Sequence, residues 1–359
     1  MSKFWSPLAR TLEPYVPGEQ PKDKSYIKLN TNENPYPPSP KVLQAIAAAA
    51  SDDLRLYPDP TSDALVQEAA RYYGLSPKQV FVGNGSDEVL AFTFAAFFDP
   101  AKPLLFPDIT YSFYKVYAKL YDLQPKLIPL DDDFNIPLDE FAGEHGGIIL
   151  PNPNAPTAKL LPLADIVTLL QRNPDQVVVV DEAYIDFGGE SAVSLVNTYP
   201  NLLVIQTLSK SRSLAGLRVG LAFGSEELID GLDRIKNSFN SYTLDRLAIY
   251  GAVAALQDEA HFRETTEKVI RTRDRVMQAV EDLGFRVTES KANFLFISHP
   301  VASAKDIFQK LRDKGVLVRY FASARIDQYL RVSVGTDEEM EAFLSALEET
   351  LKELLQEAL

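Results

Sequence analysis

One lysine stands among residues suited to a phosphate. In Thr207-Leu-Ser-Lys-Ser-Arg-Ser-Leu-Ala-Gly-Leu-Arg218, the hydroxyls of Thr207 and Ser209 flank Lys210, and Arg218 follows eight residues on. Hydroxyls with a guanidinium suit a phosphate, and an adjacent amine can form an imine with a carbonyl group. Alone, the segment reads equally as a surface lysine in a polar loop. A second segment, Asp181-Glu-Ala-Tyr184, closes the run Val177–Val180. A carboxylate driven to the end of an apolar strand must be paired or solvated. Asp181 suits a protonated pyridine nitrogen, worth on the order of 4 kcal/mol at about 4 Å and an effective dielectric near 20. A helix cap or a Mg²⁺ ligand fits the same residue.

Three further segments carry weaker signals. Val82-Gly-Asn-Gly-Ser-Asp-Glu88 runs from a strand into a helix. Gly85 and Ser86 there can form an anion site from backbone N–H groups and the helix dipole, or Ser86 is a plain cap. It is neither a Walker motif nor Gly-x-Gly-x-x-Gly. Pro151-Asn-Pro-Asn-Ala-Pro-Thr157 offers Asn154 as a rigid donor, or only a turn. In Thr110-Tyr-Ser-Phe-Tyr114, Tyr111 can stack on a planar ring, or the cluster is core.

These segments need a scaffold that brings them together. Gly147–Pro151, Gln176–Asp181, Leu202–Gln206 and Arg218–Phe223 are continuous apolar strands, and helical periodicity lies between them over Leu161–Arg172 and around Leu195. This is an α/β, doubly wound pattern, in which ligands gather at the carboxyl ends of strands. Helices are predicted over Glu226–Phe239 and from Leu244 to about Leu283. Strands Asn293–Ile297, Val316–Arg319 and Tyr329–Val334 then point to a smaller α+β unit. Thr336-x-x-Glu339 reads as a capping box before the stripe Met340, Phe343, Leu344, Leu347, Leu351, Leu354 and Leu355. Together the segments supply an anion cradle, a stacking ring, a carboxylate and an amine, an inventory that fits a phosphorylated pyridine aldehyde.

Composition narrows the chemistry. The 359 residues suggest two or three folding units. With 36 basic and 50 acidic residues the net charge is −14, which disfavours nucleic acid as a partner. There is no cysteine, and His145, His261 and His299 are scattered, so no metal site is expected. The N-terminus has no apolar run, and Ala91–Phe98, the longest greasy stretch, is too short to span a membrane. The expectation is a soluble, cytoplasmic protein.

In order along the chain stand Asn30-Thr-Asn-Glu-Asn-Pro35, Tyr57-Pro-Asp-Pro60, Gly83–Glu88, Asn152–Thr157, Asp181–Tyr184, Thr207–Lys210, Ala215-Gly-Leu-Arg218 and Leu330-Arg-Val-Ser-Val-Gly-Thr336. From Tyr15 to Thr336 this series resembles the histidinol-phosphate aminotransferases, fold-type I enzymes dependent on pyridoxal 5′-phosphate. The resemblance implies a large cofactor-binding domain (41–260) with a mostly parallel sheet flanked by helices, and a small α+β domain (261–359). An N-terminal arm (1–40) would join the small domain and a dimer partner.

It further implies Lys210 as the imine-forming lysine and proton shuttle, Asp181 at the ring nitrogen, and Tyr184 with Asn154 or Asn152 at the phenolic oxygen. Tyr111 would stack on the ring. Gly85, Ser86, Asp87, Thr207, Ser209 and Arg218 would hold the phosphate, with Tyr57 reaching it from the second subunit of a homodimer. Tyr15, Asn32, Arg319 and Arg331 would bind the substrates, a phosphorylated amino alcohol or amino acid and a 2-oxoacid. Two departures stand out. The usual Asn-Asn-Pro-Thr-Gly turn is Asn154-Ala-Pro-Thr-Ala158, and Arg212 adds a charge expected near the site. Aromatic amino-acid transamination and threonine-phosphate decarboxylation are the rival reactions. A cofactor-binding domain of a transcription regulator is disfavoured because no winged-helix segment precedes this one.

Overall fold

A computed structural model describes residues 3–357. In chain order, β1 (Ile27–Lys28) precedes β2 (Val80–Asn84), β3 (Pro103–Pro107), β4 (Gln124–Ile128), β5 (Gly147–Pro151), β6 (Val178–Asp181), β7 (Leu202–Thr207) and β8 (Val219–Gly224). There follow β9 (Arg286–Val287), β10 (Phe294–Ser298), β11 (Val316–Leu317), β12 (Arg319–Tyr320) and β13 (Leu330–Ser333). Strands β2 to β8 form a seven-stranded sheet in the order β2-β8-β7-β6-β5-β3-β4. Only β8 runs against its neighbours. The carboxyl ends of the other strands and the start of β8 therefore share one edge.

The valine run shows why the sheet is buried twice. Side chains alternate across a strand. Val178 and Val180 pack into one core with Leu150, Val204 and Leu221, while Val179 packs into the opposite core with Ile149, Leu203 and Ile205. The same alternation sends Asp181 to the Val179 side and Glu182 to the other. Helix Gly85–Phe97 follows β2 directly, and its start lies against β8. A Cβ on Gly220 would fall on the backbone of Gly85 and Ser86, so only glycine allows this approach.

Strands β9, β10, β12 and β13 form a second, antiparallel sheet in the order β12-β13-β10-β9. It packs with helices Ala304–Asp313 and Asp337–Glu357 around Leu295, Ile307, Val332 and Phe343. The capping box is present, with the Thr336 N–H donating to Glu339 (2.8 Å) and the Glu339 N–H to Thr336 (3.2 Å). Leu355 of the expected stripe is exposed. The N-terminal segment lies along this second sheet. β1 pairs in parallel with β11, the Leu29 N–H donates to the Leu317 carbonyl, and the Ser333 N–H donates to the Leu29 carbonyl.

Several element boundaries differ from expectation. The helix expected from Leu244 to Leu283 is two, Arg246–Gln257 and Glu259–Asp282. They break at Asp258, whose carboxylate is taken by Ser39 and Lys41 from the far side of the chain. The helix expected around Leu195 is a 3₁₀ turn, Ala192–Leu195. The strand expected over Val316–Arg319 divides, β11 pairing with β1 and β12 with β13. Arg218 lies outside β8, in the left-handed region at φ 58°, and Asn84 rather than Ser86 occupies the N-cap position of the following helix.

Gly220→Ala is expected to lower stability by about 1–3 kcal/mol, because the added methyl must push the helix start away from β8. Urea unfolding measures it; an unchanged midpoint would show that the approach is not tight.

Candidate active site

The shared edge of the large sheet floors a cavity of ≈ 240 Å³ whose roof comes from the N-terminal segment and the second sheet. A larger open groove lies elsewhere, between Pro60, Lys78 and Asp233. It gathers none of the residues singled out in the sequence, and the smaller cavity carries the converging groups.

Asp181 ends β6 at the cavity floor and is 5% exposed. Its Oδ2 accepts the hydroxyl of Tyr114 (2.8 Å), while Oδ1 is buried without a partner. Burial pushes its carboxyl up to about 6, against the lowering effect of the Tyr114 hydrogen bond. Tyr114 is fully buried, and burial together with the Asp181 charge raises its hydroxyl well above the ordinary value. In the sequence Tyr114 is only part of an aromatic cluster. The alternation of β6 places Asp181 on its side of the sheet.

Lys210 follows β7 by three residues and lines the cavity. Its Nζ donates to the Thr31 carbonyl (3.2 Å) and lies 5.8 Å from the centre of the Tyr184 ring. Tyr184 lines the same wall, edge-on to Phe294, and its hydroxyl accepts from Asn32 Nδ2 (3.1 Å). Residues 31 and 32 thus touch both groups, and nothing local in the sequence had pointed to Thr31.

Five of the six residues expected to form an anion cradle meet at one corner of the cavity, Gly85 lying behind them. Ser86, Asp87, Thr207, Ser209 and Arg218 line it. Thr207 Oγ1 lies 3.0 Å from Ser209 Oγ and accepts the Ser209 N–H (3.1 Å). Helix Gly85–Phe97 begins here without a side-chain cap. Its first-turn N–H groups and dipole favour negative charge. Gly85 has φ 73°, and a Cβ there would fall on the Arg218 guanidinium. Arg218 is paired with Asp87 (2.9 Å), whose other oxygen accepts from Tyr111 (3.3 Å). Asp87 therefore offers an anion only its N–H. Tyr111 lies edge-on to Tyr114 and to Tyr15.

Arg319 and Arg331 sit directly opposite each other across β12 and β13, and both line the cavity. Like charges opposed on one sheet face repel. Neither forms an ion pair with a carboxylate among the described residues. Arg319 donates to the carbonyls of Val16 and Pro17, and Arg331 to that of Asn30 (3.0 Å), leaving Arg331 Nε buried and unpartnered. Burial pulls the Arg331 guanidinium down from its ordinary value, so an anion arriving here relieves an unmet demand.

Four expected residues lie elsewhere. Asn152 exchanges both amide groups with the backbone of Leu161, and Asn154 Nδ2 donates to Ile109 and Thr157. The turn presents Ala155 to the cavity instead. Tyr57 is 78% exposed, stacked on Tyr242, and does not reach the cavity within one chain. Arg212 points away from the site, its guanidinium on the Ala255 carbonyl and over Phe262. No histidine lines the cavity. His145 is held by Asn173, His261 lies on the Pro37 carbonyl, and His299 accepts from Val301 and Ala302.

The sequence profile of the class I and II aminotransferases matches residues 24–347. The chain belongs to that family. A relative named histidinol-phosphate aminotransferase, from Clostridium acetobutylicum, is 62% identical over 98% of this chain and all of its own length. One of the same name from Clostridium beijerinckii is 57% identical over 97% of both. Among solved structures, histidinol-phosphate aminotransferase from Sinorhizobium meliloti in complex with pyridoxal-5′-phosphate superposes with a TM-score of 0.88, at 25% identity and over 99% of both chains. A solved C. acetobutylicum protein of that name is only 22% identical over 91% of this chain and 99% of its own, at a TM-score of 0.83. It is a different chain from the 62% relative and speaks for the fold alone.

The raised carboxyl of Asp181 makes apo stability pH-dependent. The folded state holds its proton more tightly than the unfolded chain, so this contribution is full below about pH 4 and lost as pH rises through about 6. Asp181→Asn is therefore expected to stabilise the cofactor-free protein at pH 8, on the order of 3 kcal/mol, with little effect near pH 4. Urea midpoints at the two pH values test this; equal effects at both would remove the buried charge as the cause.

Proposed function

We propose that this aminotransferase moves the amino group of L-histidinol phosphate to 2-oxoglutarate with pyridoxal 5′-phosphate as cofactor, giving imidazole acetol phosphate and L-glutamate. The observation that carries this reading is the opposed, acid-free pair Arg319 and Arg331 facing Lys210 across one cavity. A guanidinium pair accepts a phosphate or a carboxylate with the same fork geometry, so one pocket serves both donors. The names of the close relatives support the same substrates.

The residues present fit the cofactor. The buried, unpartnered Oδ1 of Asp181, in a residue lining the cavity, is an unsatisfied acceptor suited to a pyridine N–H. Ser86, Thr207, Ser209, Arg218 and the helix start suit the phosphate, and Tyr111 the ring face. When bound, the cofactor supplies an electron sink for the pair released at the substrate's Cα. Lys210 Nζ, which donates to the Thr31 carbonyl here, would take the proton from the substrate's Cα and deliver it to C4′ of the cofactor. Tyr184 would direct its hydroxyl to the phenolic oxygen. Asp181 keeps the ring nitrogen protonated, and Arg319 and Arg331 fix the substrate's distal anion.

We further propose the division into arm, large and small domains at residues 40 and 260, supported by the arm's pairing through β1 and β11. The exposed Tyr57, beside Leu54 and Leu56, is suited to reach a neighbouring site, which supports a homodimer with shared sites. Phosphorylated substrates do not cross bilayers unaided, which supports a reaction in the compartment that makes them, the cytoplasm. No helix among the described residues is long and apolar enough to span a membrane.

A half-reaction screen tests the reading. Mixed singly with histidinol phosphate, glutamate, phenylalanine or tyrosine, the loaded protein should convert its cofactor to the amino form fastest with the first two. Release of CO₂ from threonine phosphate without oxoacid consumption would sink the proposal. Arg331→Ala should raise KM for donor and acceptor together, by about 10-fold or more; a rise for one alone would separate the two sites. Chains carrying Tyr57→Ala and chains carrying Lys210→Ala, mixed and reannealed, should recover activity that neither has alone. No recovery would argue against shared sites.

A further inference from the structure

Resting on that reading of the site, we infer that Asn32 and Ser333 are positioning residues that fix the direction of the Tyr184 proton, rather than contacts to the substrate. Hydrogen-bond polarity fixes that direction. The Asn32 backbone N–H can only donate, and it donates to Ser333 Oγ (2.8 Å). Ser333 has one proton, and it goes to Asn32 Oδ1 (2.9 Å). That choice orients the amide, leaving Nδ2 to face Tyr184 (3.1 Å). Turning the amide over would put NH₂ against Ser333 and leave the buried serine proton with no acceptor. An N–H donor from Asn32 then occupies a lone pair of the Tyr184 oxygen, and the tyrosine proton is directed elsewhere, into the cavity.

The surroundings hold this arrangement rigidly. Asn32 and Ser333 are 1% and 3% exposed. Asn32 takes φ 56°, a left-handed conformation that asparagine tolerates better than most side chains. Its carbonyl accepts from Asn293 Nδ2 (3.0 Å), and the preceding carbonyl, of Thr31, accepts from Lys210. The turn at residues 31 and 32 thereby addresses Lys210 with an acceptor and Tyr184 with a donor. Ala155, on the same cavity wall, offers no side-chain donor, so Tyr184 carries the hydrogen bond to the phenolic oxygen by itself. A hydroxyl donated to that oxygen stabilises its anion and weakens its hold on the proton shared with the Lys210 nitrogen. The visible band of the bound cofactor then titrates at lower pH.

The test is that titration in the holoenzyme. Asn32→Asp keeps the shape but supplies only acceptors, so Tyr184 turns its proton away from the cavity. The midpoint should rise by about one pH unit. Ser333→Ala should raise it by less, and Ser333→Thr, which restores the hydroxyl, should bring it back. In a Tyr184→Phe background, Asn32→Asp should add no further shift. An equal shift in that background would mean that the new charge acts directly, and would overturn the inference. So would a Ser333→Ala protein that titrates like the parent, a comparison that stands even if Asn32→Asp does not fold. A parent protein that forms no visible band with pyridoxal phosphate would overturn the underlying reading of the site instead.

Discussion

Ending a fully buried valine strand in a carboxylate costs free energy, and the site is organised around where that cost is met. Asp181 has two oxygens in a dry setting. Tyr114 satisfies one, and the other is buried without a partner in a residue that lines the cavity. A ligand that presents an N–H there completes a hydrogen bond and pairs a charge in one contact. The free protein is therefore strained electrostatically in the direction of binding.

Its neighbour makes a useful contrast. Glu182 is just as buried, and burial pushes its carboxyl up to about 7. Yet it lies on the opposite side of the strand, where Ser191, the Ala192 N–H and Gln206 meet both of its oxygens. Tyr73 completes that network by donating to Gln206. Two consecutive acids thus differ in role because strand alternation gives one a closed network and the other a cavity. The arginines show the same logic with the opposite sign. The chain carries −14 overall, but Arg319 and Arg331 are opposed where no acid answers them. Net charge describes the surface; the site is set by which groups are left without partners.

Much of this was legible in the sequence, because apolar runs announce strands and the residues just beyond them are forced to one edge. Lys210, Asp181, Tyr184 and Ser86 come together at one cavity for that reason. What was missed depends on side-chain direction or on distant partners. Arg212 is two residues from Lys210, but it turns the other way. Asn154 looked like the donor of its turn, while the turn actually presents Ala155. Tyr114, Thr31 and Ser333 have no local signal, since their partners lie 67, 179 and 301 residues away. The break at Asp258 needs no glycine or proline, only Ser39 and Lys41 arriving from elsewhere.

The central claim is that Asp181 holds a protonated ring nitrogen at its open oxygen. Nitrogen-15 NMR of the protein loaded with ring-labelled pyridoxal phosphate reads that protonation directly. The account predicts a pyridinium signal in the parent from pH 6 upward to about 9, and its loss in Asp181→Asn. A neutral ring nitrogen in the parent at pH 7 would contradict it.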